Sequence, residues 1–139
     1  MRKIFIFGNG NLSFEDFLQH YVPVLEQTCD DPDTEYLLCE FRGVDILALE
    51  WLKCKTPRVT LFHMNNRPRY LPDQFRTHVN EWTIKGGYQS NLERDLAALH
   101  ACTHFLGIDF NTDKFRKSGT QKNIETCLKL KKTRLLALQ

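Results

Sequence analysis

The chain lacks a CxxC pair, an apolar run of membrane-spanning length, an excess of charge of one sign, and any repeat, low-complexity tract or linker. Each absence removes a class. Without paired cysteine spacings, the five scattered cysteines (Cys29, Cys39, Cys54, Cys102 and Cys127) read as reduced, mostly buried thiols and not as a disulfide framework or zinc site. No membrane-spanning segment is expected. A net charge of only +2 argues against a nucleic-acid partner, because backbone binding relies on clustered Lys and Arg. The amino end does not read as a signal peptide, since its short apolar run is followed at once by glycine and then acidic residues. A cytoplasmic protein is the expectation.

What remains is ordinary globular material: 139 residues, 42% hydrophobic and 26% charged, enough for one domain with a substantial core. The organising stretch is the first. Ile4–Phe7 is an unbroken apolar run, as in a strand covered on both faces. Gly8, Asn9 and Gly10 follow, with the glycines permitting a tight turn and leaving backbone N–H groups uncovered. Ser13 then opens a helix, with Asp16 three residues on. Strand, glycine loop and helix start together make an arrangement that holds a phosphate or another anion. Glycine also occurs in such turns for steric reasons alone.

The helix is expected over about Phe14–Gln27, with Phe14, Phe17, Leu18, Tyr21 and Leu25 on its inner face and Pro23 kinking it or ending its regular part. A second strand, Glu35–Cys39, leads through Phe41–Asp45 into a helix reaching about Cys54, whose buried stripe is Val44, Leu47, Ala48 and Trp51. Arg58–Met64 is the third strand. Asn65–Tyr88 is a long excursion, read as holding a short helix near Asp73–Val79 and an extended piece around Trp82. Ser90 and Glu93 open a further helix with Leu92, Leu96 and Leu99 inside, followed by the strand Phe105–Ile108. Ser118 caps the last helix, with Ile124, Cys127 and Leu128 inside, and Arg134–Leu138 is a final short strand. The sum is α/β: a Rossmann-like three-layer sandwich with a parallel five-stranded sheet and four helices, in a single domain over 1–139.

In such a sheet, ligands sit beyond the carboxyl ends of the strands at the switch point. Three loops meet there: Gly8–Ser13, Phe41–Asp45 and Phe110–Thr120. Arg42 brings a bidentate donor fork. Ser118, Gly119 and Thr120 bring two hydroxyls and bare N–H groups. The set suits an anion, most simply a nucleotide phosphate. Taken singly, Ser118 reads as an N-cap and Asp45 as a first-turn acid; taken together, the loops favour a ligand.

Other groups carry less. His100 and His104 straddle a helix end, so no metal site is expected. His63 lies near the ligand edge of the third strand and is a candidate polar contact. Arg67, Arg69, Tyr70 and Trp82 suit a lid that stacks a base, or equally a solvated loop with one buried aromatic. Lys129, Lys131, Lys132 and Arg134 read as a solvated helix end.

The order strand–Gly8–Asn9–Gly10, then Arg42–Gly43–Val44–Asp45, then Arg94–Asp95, then Ser118–Gly119–Thr120 resembles the SLOG superfamily. This is the Rossmann-like group that includes the LOG phosphoribohydrolases and the DprA DNA-processing proteins. The resemblance is closest to small bacterial and phage members with an Arg-Gly-Ala-Asp segment. It covers nearly the whole chain apart from Asn65–Tyr88. It implies a nucleotide or nucleotide-derived signalling ligand contacted by Gly8, Asn9, Gly10, Arg42, Gly43, Asp45, Arg94, Ser118, Gly119 and Thr120, with no further cofactor, and it allows a homodimer. Arg94 matches the arginine that assists catalysis in LOG hydrolases, and Gly119–Thr120 match their Gly-Thr. Their catalytic Glu falls on Asn123, an amide that serves neither as base nor as stabilising charge. The resemblance therefore implies a binder that senses or sequesters its ligand. The alternative is a nucleotide or nucleoside N-glycosidase or deoxyribosyltransferase-like enzyme working through another carboxylate, with Glu40, Asp45 and Asp109 as candidates.

Overall fold

The computed structural model describes residues 1–137. The order is β1 (Arg2–Gly8), α1 (Phe14–His20), α2 (Val22–Thr28), β2 (Thr34–Leu38), α3 (Val44–Leu52), β3 (Val59–Met64), a 3-10 turn (Val79–Glu81), β4 (Thr83–Tyr88), α4 (Asn91–Ala101), β5 (His104–Ile108), α5 (Gly119–Lys129) and β6 (Thr133–Arg134). The strands form one sheet in the order β4-β3-β2-β1-β5-β6, with every neighbouring pair parallel. The expected α/β class and parallel sheet are present, and helices flank the sheet. The expected count of five strands is corrected to six.

The sixth strand is β4, inside the excursion. Thr83–Tyr88 is an edge strand, exposed along most of its length and carrying Gly86 and Gly87, so no apolar run marks it. The helix expected near Asp73–Val79 is absent; only the 3-10 turn after His78 is helical. Trp82 is buried with its Nε1–H donating to the Thr56 carbonyl at 2.9 Å, and it packs in the core. It lies before β4, at the amino ends of the strands, so it belongs to no lid over the carboxyl edge.

β1 shows why both faces are covered. Ile4 and Ile6 join one cluster with Phe17, Tyr21, Leu25, Tyr36, Leu38, Ala48 and Leu52, under α1–α3. Phe5 and Phe7 point the other way and join Leu37, Phe62, Phe105, Leu99 and Ile124, under α4 and α5. The alternation is the pleat of a strand, and both surfaces being apolar is what produces the unbroken run.

The first helix is two helices. α1 ends at His20, Tyr21 caps it, and Pro23 starts α2 near its first position, where the missing N–H is harmless. The break re-aims the inner face: Phe17, Tyr21, Val24 and Leu25 are buried, whereas Phe14 and Leu18 are exposed. Leu92 and Leu128, expected inside α4 and α5, are also exposed. The final strand spans only Thr133–Arg134; residues 135–137, expected in it, are not strand, and its expected end at Leu138 lies outside the described residues. No helix of the described residues is long and apolar enough to cross a membrane.

Candidate functional site

The chain leaves β1 for β2, β3 and β4 on one side and returns to β5 on the other, so the switch point lies between β1 and β5. α1 then covers one face and α5 the other, which leaves a crevice at the carboxyl edge. A cleft of about 550 Å³ opens there. That volume is within the range of roughly 300–1,000 Å³ usual for small-molecule sites. Gly8, Asn9, Gly10, Arg42, Asp45, Arg94, Ser118, Gly119 and Thr120 all line it, as does Asn123. Gly43 does not.

Gly43 has φ of 80°, and a Cβ there would overlap the carbonyl oxygen of Asn9 and come within 2.6 Å of the Gly10 Cα. What approaches Gly43 is the β1 loop, not a ligand. Gly10 is similar: a Cβ would lie 2.8 Å from the Phe41 ring and 2.9 Å from Arg42 Nε. The β1 glycines thus let Phe41 and Arg42 fold across the loop, with the Arg42 guanidinium 5.7 Å from the Phe41 ring centre.

The opening stretch lines the cleft through Gly8–Asn11, and the amino end of α1 lies outside the lining. Ser13 caps α1 by accepting from Asp16 N–H at 3.1 Å, and the cleft lining stops at Asn11. The helix whose amino end faces the cleft is α5. Ser118 caps it, accepting from Gln121 N–H at 2.9 Å while its hydroxyl donates to Asp109 at 2.8 Å. Its proton is therefore committed within the protein, and the N–H groups of Gly119 and Thr120, which line the cleft, belong to the helix's first turn, where backbone donors lack an intrahelical partner. Asp109 also accepts from the Asn9 side-chain amide at 3.0 Å and from Asn111 N–H at 3.2 Å, while Asn9 Oδ1 accepts from Phe110 N–H at 2.7 Å. This polar bridge fixes the β1 and β5 loops against each other through one Asp109 oxygen, Oδ1.

On the β2 side the site is ionic. Arg94 on α4 is 3% exposed and contacts Glu40 at 3.4 Å and Asp95 at 3.2 Å. Glu40 is itself buried, accepting from Met64 N–H at 2.8 Å and Arg69 N–H at 2.6 Å. Its role is to tie the start of the excursion to the end of β2, and it does not line the cleft. Asp45 is 5% exposed and accepts from Phe41 N–H at 3.0 Å through Oδ2. Burial raises its pKa to about 7; the Asp95 and Glu40 charges add to the rise, and the Phe41 N–H and the Arg94 charge oppose it. Cys39 lies at the same end, its thiol pushed well up by burial, as an inert core cysteine should be.

Among the polar residues of the lining not assigned as contacts from the sequence are Asn91, Arg116 and Asp95, the last quoted there only as part of the Arg94–Asp95 motif. Asn91 and Asp95 face the cleft from α4 together with Arg94. The spacing of i, i+3 and i+4 makes one stripe, which continues inward as buried Ala98 and Leu99. A stripe that begins polar and becomes apolar was the available signal. Arg116 lines the opposite lip. Like Arg42, it makes no ion pair among the described residues.

The remaining candidates lie elsewhere. His63 is buried, with Nδ1 3.1 Å from the Met64 carbonyl and its ring against Gly86, outside the cleft. Arg69 and Tyr70 are tied to Glu40 and to the α3 side of the core, respectively. Lys132 and Arg134 donate to the Cys102 and Gly107 carbonyls at 2.7 and 2.9 Å, which accounts for part of the basic cluster. Among the described residues no group of His, Cys, Asp and Glu has metal-site geometry. No family model, curated protein or solved structure matches the chain.

Proposed function

We propose that the chain binds a nucleotide or nucleotide-derived signalling ligand in this cleft and senses or sequesters it. The observation that carries the reading is the pairing of α5's amino end, with its free N–H groups at Gly119 and Thr120, with Arg42 and Arg116 on the cleft lips. Helix-end N–H groups and unpaired guanidinium forks are the donors that suit a phosphate. The likeness of the Arg42–Asp45 and Ser118–Thr120 segments to SLOG motifs supports the same ligand class. Asn123, in the cleft where LOG hydrolases have their catalytic Glu, favours binding over turnover. Glu125 offers no replacement: it pairs with Lys117 at 2.7 Å and lies outside the cleft.

A second reading, cleavage of an N-glycosidic bond, is favoured by Asp45. A carboxyl that titrates near 7 inside a cleft is poised for acid catalysis. One experiment separates the two. The protein is heated with each nucleoside monophosphate and with the matching nucleoside, and the mixture is then assayed for free base. Binding predicts a higher midpoint with the monophosphate than with the nucleoside, and intact ligand recovered. Release of base over many turnovers establishes the second reading, and no shift with any nucleotide removes both.

A further inference from the structure

Of the large apolar side chains that stand exposed among the described residues, Phe41 alone lines the cleft. It is 42% exposed. Phe5 and Phe7 also reach the lining, but both are buried in the core beneath it. Phe110 is half-buried there, with its ring 5.2 Å from that of His20. Phe115 is fully exposed and lies outside the lining. The Phe41 ring is also held in place. Its backbone N–H donates to Asp45 Oδ2 at 3.0 Å. Its Cε2 lies so close to Gly10 that a Cβ there would stand 2.8 Å away, and the Arg42 guanidinium is 5.7 Å from the ring centre. A single exposed apolar residue is ordinary on a protein surface. An aromatic ring anchored by its neighbours on the lip of a mostly polar cleft is different, because a ring fixed before the ligand arrives loses little freedom on binding.

We propose that Phe41 is the stacking platform for the ligand's base, with the base on the Phe41 ring and the phosphate at the amino end of α5. This inference rests on the nucleotide reading above and adds to it the contact that recognises the base. Topology sets the span. Phe41 follows β2, α5 follows β5, and β1 runs between those two strands. Two strand spacings of roughly 4.8 Å put the strand ends about 10 Å apart. A nucleotide, with its planar base at one end and its phosphate at the other, spans a gap of that order. Stacking also states the specificity. Every base has a π face, so the platform tolerates all of them. Purines cover more of the ring than pyrimidines do, and the order of affinity follows that area.

The test is calorimetric titration with AMP, GMP, CMP, UMP and ribose 5-phosphate, which keeps the sugar and phosphate and lacks the base. The native protein should bind AMP and GMP on the order of tenfold or more tighter than ribose 5-phosphate, with CMP and UMP between. Phe41→Leu keeps an apolar side chain beside Gly10 and the backbone bond to Asp45, and removes the π face. It should bring AMP to within about threefold of ribose 5-phosphate and leave ribose 5-phosphate itself unchanged. Phe41→Tyr should keep the native order. Equal affinity of the native protein for AMP and ribose 5-phosphate overturns the inference and leaves phosphate recognition standing; this comparison needs no variant to fold. A folded Phe41→Leu protein that keeps the native ratio also overturns it, as does one that weakens all five ligands alike, which would make Phe41 a structural support. Failure of the native protein to bind any of the five overturns the nucleotide reading, and the stacking assignment with it.

Discussion

Gly43 sits so close to Asn9 that a single added Cβ would overlap the Asn9 carbonyl oxygen, and that same carbonyl accepts the Val44 N–H at 3.4 Å as α3 begins. The contact locks the loop after β2 onto the loop after β1. With φ at 80° and ψ at −121°, the position lies in a region that only glycine occupies freely. Gly43→Val should therefore destabilise the fold by about 3 kcal/mol or more, from backbone strain together with overpacking. Urea denaturation measures it. A variant that keeps its stability and loses only ligand would show that the glycine serves ligand approach after all.

Arg94 supports the site and the fold together. Replacing it with Met leaves the buried Glu40 with only its longer contact to Arg69, at 4.0 Å, and Asp95 without its clamp. Breaking a buried pair from one side costs about 3–5 kcal/mol. Adding Glu40→Gln should recover part of that loss, since the uncompensated charge is then gone. If the double variant is no more stable than Arg94→Met, repulsion from Glu40 is not the source of the cost.

Trp82 should matter for stability alone. Trp82→Phe removes the donor to the buried Thr56 carbonyl, an unmet acceptor worth about 1–3 kcal/mol. Because the ring sits at the amino ends of the strands, ligand-induced shifts in midpoint should equal those of the native protein. A variant of native stability with impaired ligand response would return Trp82 to the ligand edge.

The sequence was most informative where chemistry and topology coincide. Gly8 ends a strand, Arg42, Asp45 and Ser118 each follow one, and a parallel sheet gathers such positions at one edge whatever the details of packing. It was least informative where exposure decides. Thr83–Tyr88 pairs as a strand because β3 offers an edge, and its own residues are polar and glycine-rich. Phe14 and Leu18 fit the helical period as well as Phe17 and Tyr21 do, and only the break at Tyr21 selects between the two sets. Arg94 and Asp95 both reach the cleft, and nothing local told that the acid does so along with the arginine it is paired to.

The Asp45 carboxyl gives the fold a pH signature. Its pKa rises from 3.8 to about 7 on folding, so between those values the native state holds a proton that the unfolded chain has released. Its contribution is complete below pH 3.8 and is lost as pH climbs through 7, with a total on the order of 4 kcal/mol. His104 works in the opposite sense near pH 6.5, because burial and the Arg2 charge disfavour its protonation. Asp31 and Glu125, both lowered by hydrogen bonds, act only below about pH 4.5. The difference between native protein and Asp45→Asn therefore isolates the carboxyl. The substituted amide keeps an oxygen for the Phe41 N–H and has no proton to lose, so the variant should gain on the native protein steadily from pH 4 to 7. Above that range the difference should level off. Unfolding measured at half-unit steps reads this directly, and parallel curves across pH 4–7 would mean that Asp45 titrates as an ordinary surface acid.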